Sequence, residues 1–146
     1  MRDTFRRMIA TWVRSPKKLF LLDGIGALLT AILLLIIRTA FREDFGMPAN
    51  ILGFLILIAC IFCSYSFGCF FLIHNHWRFF LRIITIANLL YACTTGFLIL
   101  YFNREMTSLG LTYFTLEIGV ILALVIIELK VLLKSKERLL QTKQER

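Results

Sequence analysis

Acidic residues are scarce in this chain of 146 residues, which has 9 Asp and Glu against 17 Lys and Arg. Charge of either sign is also nearly missing from the interior of four long apolar stretches. Phosphate-binding loops, nucleophile elbows and zinc-protease motifs are lacking as well. We therefore predict no catalytic residue, no metal ligand and no cofactor, and we do not expect an enzyme.

Cysteine occurs at four positions, but none of them suits a secreted disulfide framework. All four fall inside the apolar stretches: Cys60, Cys63, Cys69 and Cys93. Cys60 and Cys63 would share one face of a helix, but a reactive thiolate needs a polar, accessible setting. An intramembrane thiol redox or metal-handling protein is therefore kept only as a remote alternative.

Apolar side chains make up 59% of the sequence, above the roughly 45–50% of an ordinary soluble domain. The apolar stretches cover residues 19–37, 51–73, 79–102 and 109–133. As helices rising about 1.5 Å per residue, each matches a hydrocarbon core about 30 Å thick. The sequence thus predicts an all-α membrane protein with an antiparallel bundle of four transmembrane helices over residues 19–133. Asn50 is the predicted N-cap of the second stretch, and Thr107 or Ser108 that of the fourth.

The two ends of the chain carry most of its net charge of +8. In residues 1–18, apolar side chains recur at helical spacing among arginines, which predicts a cationic amphipathic helix in the membrane interface. Residues 134–146 are predicted to form a basic cytoplasmic tail. Basic clusters beside spans favour contact with a bilayer that contains anionic lipids, so we do not expect nucleic acid as a partner.

Lysine and arginine are distributed unequally over the predicted connections. The two ends and the turn at 74–78 are basic, whereas the first and third connections hold only Arg38, Arg42 and Arg104. Basic loops stay preferentially in the cytoplasm. We therefore expect both termini in the cytoplasm and the chain in the cell (inner) membrane.

Glu117 is the strongest functional candidate, because a carboxyl group well inside an apolar span is costly and requires a partner. Asn88, Tyr65 and Tyr91 are predicted to lie at a similar depth. Glu117 is then either protonated and hydrogen-bonded, to Asn88 or to a tyrosine hydroxyl, or it faces water or a cation. We predict a proton- or cation-binding site of these four residues, the alternative being a neutral Glu117 that only holds helices in register.

A second charged layer is predicted nearer the cytoplasmic face. Asp23, Arg82 and Glu128 each lie within one or two turns of that face in an antiparallel bundle. The two acids offer Arg82 a partner across helices, as an inner gate or a structural brace.

Three functions are consistent with these features. The leading hypothesis is a proton- or cation-coupled small-solute transporter, or a channel-like protein, that uses a buried carboxyl group. The alternative is a non-catalytic accessory or scaffold subunit of a larger membrane assembly, and the thiol protein above is the third. Because four spans enclose little lumen, we also expect a homodimer or contacts with other membrane subunits.

Overall fold

The computed structural model of this chain describes residues 15–73 and 76–144. These residues form five helices: α1 (Lys17–Ala40), the short α2 (Arg42–Phe45), α3 (Ala49–Leu72), α4 (Trp77–Tyr101) and α5 (Ser108–Gln144). No strand occurs within these ranges, so the prediction of an all-helical fold is confirmed. Most of the predicted interfacial helix, residues 1–14, lies outside the described residues.

Three helices of the described chain are long and apolar enough to cross a membrane. They are α1, α3 and α4, with 24, 24 and 25 residues and mean hydropathies of 2.6, 2.3 and 1.9. Their outward faces expose large apolar side chains such as Leu57 (58%) and Leu90 (62%). A surface of this kind suits lipid rather than water, so three helices that could cross a membrane agree with the sequence prediction in part.

The helices pack as two antiparallel pairs, α1 with α3 and α4 with α5, and the contact between the pairs is looser. In the first pair, Gly24 near the start of α1 faces the Phe67 ring, so that a Cβ there would lie 3.4 Å from it. In the second pair, Gly96 lies opposite Ile118. The helices of each pair are closely packed, whereas space remains between the two pairs.

Two apolar clusters lie towards the ends of the bundle, and a layer of five buried polar side chains lies between them. The cluster beside α2 includes Leu34, Leu55 and Phe114. The cluster at the start of α4 includes Phe20 and Leu81. Five polar residues of the intervening layer are buried: Asp23, Ser66, Thr85, Asn88 and Glu128. The polar groups are therefore held inside the protein, away from both ends of the bundle.

The connections 41–48 and 102–107 pack against each other at the α2 end. Gly46 adopts a left-handed φ of +72°, and a Cβ there would meet the backbone oxygen of Glu105. The Thr107 hydroxyl donates to the backbone oxygen of Asp44 and accepts a 3.1 Å hydrogen bond from the Gly110 N–H. Thr107 thus caps α5, which confirms the first of the two candidates, Thr107 and Ser108, for the N-cap of this helix.

The predicted cap of the second span is wrong. α3 begins at Ala49, and the N-cap is Pro48, with φ −58° and ψ 138°. This extended conformation is the one that N-cap residues adopt, and the proline ring fixes its φ. Asn50 therefore lies inside the first turn of α3.

Candidate functional site

A cavity of about 350 Å³, open to the outside of the bundle on one side, lies between the two helix pairs, with α1 and α5 on its walls. All four long helices contribute to its lining. Most of the lining is aliphatic or aromatic, and the polar side chains are few: Asp23, Thr30, Asn88, Tyr91, Tyr113 and Glu117. Three of the four residues predicted for the proton or cation site, Asn88, Tyr91 and Glu117, are therefore brought to one cavity.

Glu117 is half-buried on α5, and its two carboxyl oxygens have different surroundings. The Tyr91 hydroxyl donates a 3.0 Å hydrogen bond to Oε1. Oε2 is buried and has no hydrogen-bond partner among the described residues. Of the partners that the sequence predicts for Glu117, the structure thus shows a tyrosine hydroxyl on the neighbouring helix, and the second oxygen has no partner among the described residues.

Tyr91 is held firmly in this position. Its side chain is buried within the cluster beside α2, and its ring packs edge-on against Phe62 of α3, with centroids 6.1 Å apart. An aromatic pair of this geometry contributes about 0.5–1.5 kcal/mol beyond area burial. The hydroxyl is consequently presented to Glu117 by a rigid side chain.

Asp23 forms the opposite polar part of the cavity, and it is only 3% exposed. The Asn88 side-chain amide donates a 2.6 Å hydrogen bond to Oδ1, and the Ser66 hydroxyl donates to Oδ2. These bonds link α1 to α4 and to α3. Because both of its oxygens already accept a hydrogen bond, Asp23 acts as a joint between three helices.

Glu128 of α5 lies next to Asp23 and Asn88 and is completely buried. Asp23, Thr85 and Asn88 are its polar neighbours. Neither carboxyl oxygen has a hydrogen-bond partner among the described residues. The only proton of the Thr85 hydroxyl is donated to the Leu81 carbonyl, 2.7 Å away. A buried acid without such bonds is costly, which makes Glu128 a polar group retained at the expense of stability.

The two remaining predicted site residues lie elsewhere. Arg82 is exposed on α4, and within the described ranges no ion pair joins it to Asp23 or Glu128. Tyr65 does not line the cavity, and its hydroxyl faces the Phe80 carbonyl oxygen at 3.4 Å. The inner acids are therefore brought together with Asn88 and Ser66 rather than with an arginine.

Comparison with protein-family models, curated proteins and solved structures finds no match. Function must therefore be inferred from the side chains of the cavity. Asp23 and Glu117 line the cavity and Glu128 is buried beside Asp23, whereas no lysine, arginine or histidine of the described chain is buried with these carboxyl groups. Such a region attracts protons or cations and repels anions.

The cysteines take no part in this region. Cys60 and Cys63 carry free thiols, the first exposed and the second half-buried, and neither lines the cavity. In the described residues, no group of three or more His, Cys, Asp or Glu side chains could hold a metal ion.

Ser66 and Tyr113 are site residues that the sequence prediction did not include. Ser66 lies at helical spacing from Ala59 and Cys69, and all three are buried. Together with the hydroxyl-rich end of the second apolar stretch, this periodicity was a usable signal for an inward-facing serine. Tyr113 precedes Glu117 by one helical turn, so its presence on the same wall also follows from spacing.

Proposed function

We propose that this chain is a four-span protein of the cell (inner) membrane that acts as a proton- or cation-coupled transporter, or channel-like protein, for small solutes. The observation that carries the proposal is the position of Glu117 at the cavity between the helix pairs, where Tyr91 donates to one oxygen and the other has no partner within residues 15–73 and 76–144. Such a group can take up and release a proton or a cation without breaking the bundle.

The first part of α5 serves as the fourth span in this proposal. The helix has 37 residues, about 55 Å at 1.5 Å per residue, so it exceeds a hydrocarbon core of about 30 Å. Its face away from the cavity exposes Ile126 and Leu133, at 51% and 63%, as a lipid-facing surface requires. Residues 109–133 cross the membrane, and the charged remainder extends into the cytoplasm with both termini.

The looser contact between the helix pairs would couple proton or cation binding at Glu117 to the movement of a solute. Glu117 and Tyr91 belong to the pair α4–α5, whereas Asp23 belongs to the pair α1–α3. A cation or proton at Glu117 changes the charge on one wall of the cavity. A resulting change in the separation of the helix pairs then opens or closes the access of the solute to the cavity. Asn88 bridges the pairs through Asp23 and limits that movement.

The proposal is tested in proteoliposomes under a proton gradient, with a panel of inorganic and organic cations. We expect a pH-dependent current or uptake for the wild type and its loss in Glu117→Gln, which keeps the shape of the side chain but cannot ionise. Glu43→Gln, at an exposed acid of α2, is the matched control and should behave as the wild type. Silence of all three proteins, with equal stability, would instead favour the accessory or scaffold subunit.

A further inference from the structure

The size of the cavity restricts what it can hold. Its volume of about 350 Å³ is at the lower end of the range of roughly 300–1,000 Å³ typical of pockets for small organic molecules. A single inorganic cation would fill only a small part of it and would leave the aliphatic walls without contacts. The occupant is therefore a polyatomic molecule with a body of its own.

The walls restrict the chemistry of that body. Leu33, Ile121 and Leu124 supply aliphatic surface, and Phe62 supplies an aromatic ring. A sugar or an amino acid would bury several hydroxyl, amine or carboxyl groups against these side chains without hydrogen bonds, which costs about 1–3 kcal/mol for each group. A mainly apolar body suits the cavity better.

The charges restrict the head group. Among the residues that the structure describes, no lysine, arginine or histidine lines the cavity, whereas Asp23 and Glu117 do. Asp23 already accepts two hydrogen bonds, but Glu117 keeps a buried oxygen that has no partner in the described part of the chain. Tyr91 and Tyr113 also line the wall at Glu117, and aromatic rings attract cations through their π faces.

We propose that the cavity binds a lipophilic organic cation, an amine or quaternary ammonium with an apolar body, whose charged head lies at Glu117 between Tyr91 and Tyr113. This inference rests on the proposed function, since it names the substrate class of the same site. The body lies against the aliphatic walls towards α1.

The test is calorimetric titration of the purified full-length protein with benzyltrimethylammonium and with neopentylbenzene, its neutral carbon isostere. We expect saturable binding of the cation and affinity for the isostere weaker by on the order of tenfold or more, about 1.4 kcal/mol. Glu117→Gln should lose this preference, whereas Glu43→Gln should retain it. Equal binding of the two compounds by the wild type, or an unchanged preference in Glu117→Gln, would overturn the inference.

A second pair of variants tests the location of the bound cation without changing Glu117. Ala27→Leu adds bulk to a cavity wall on α1, and Ala123→Leu makes the same change at an exposed position of α5 outside the cavity. Binding should be lost in the first and kept in the second. Binding retained in Ala27→Leu would contradict the proposed location.

The two proposals fail in different ways. A Glu117-dependent proton current in liposomes without binding of benzyltrimethylammonium would leave the transport function standing and exclude this ligand class. Binding with the expected preference, but no flux of any solute, would uphold the ligand class and exclude transport.

Discussion

Asp23 and Glu117 line the same cavity, yet their hydrogen bonds assign them different tasks. Among the described residues, Asp23 accepts from side chains of two other helices, whereas Glu117 has one donor and one unpartnered oxygen. A carboxylate whose oxygens are both engaged serves structure, because removing it leaves buried donors unpaired. A carboxyl group with spare bonding capacity can accept a ligand. The two acids of the cavity thus differ in role because their hydrogen-bond partners differ, and not because they lie at different depths.

Replacement of Asp23 tests its structural role. Asp23→Ala should lower the midpoint of thermal unfolding in detergent, since it leaves two donors without their acceptor at about 1–3 kcal/mol each. The Asn88 amide should account for more of the loss, because the Ser66 hydroxyl can turn to a carbonyl of its own helix. Asp23→Asn should be close to the wild type, since its amide can accept from Asn88 and donate to Ser66.

The comparison with Glu43→Ala provides the control for this prediction, because Glu43 is exposed in α2. Equal unfolding midpoints for Asp23→Ala and Glu43→Ala would mean that the three-helix joint contributes nothing to stability.

At the scale of the elements, two glycines allow the backbones at the α2 end to approach each other closely. A Cβ at Gly46 would meet the backbone of Glu105, and a Cβ at Gly110 would meet the backbone of Phe45. Gly46→Ala and Gly110→Ala should therefore lower stability, and Gly46→Ala should also pay about 1–2 kcal/mol for its left-handed φ of +72°. Thermal unfolding in detergent measures both effects.

Gly119→Ala is the matched control in the interior of α5, where a Cβ would have open space. Alanine is favoured over glycine in a helix by about 1 kcal/mol, so this variant should be at least as stable as the wild type. If all three alanine variants unfolded at the same temperature, the close approach of the two connections would not matter for stability.

Some of these elements follow from local sequence and others do not. Apolar length is a local property, so the all-helical fold and three helices able to cross a membrane could be predicted. The capping of α5 by Thr107 is local too. Depth along a helix predicts that Arg82 and Asp23 share a layer, but it does not give the direction in which each side chain points. Likewise, the pairing of Ser66 with Asp23 depends on the register between two helices, which one sequence does not specify.

At the scale of the whole molecule, the cavity is lined by one chain, so the expected homodimer is not needed to build it. The proposed four spans and orientation are tested with a membrane-impermeant maleimide on intact cells. Arg104→Cys, in the exposed third connection, should be labelled from outside, and Lys136→Cys, exposed near the end of α5, only after lysis. The parent protein is the control for its four native cysteines. Labelling of both introduced cysteines from the same side would mean that α5 does not cross the membrane.

The division into two helix pairs also has a consequence for how the chain is made. The residues of the first pair, including the contacts of Gly24 to Phe67 and of Ser66 to Asp23, all precede α4 in the sequence and leave the ribosome first. Units that emerge early from the ribosome can fold early. The bond from Asn88 to Asp23, by contrast, has to wait for the second pair. We therefore expect the cavity to form last, when the second helix pair docks against the first.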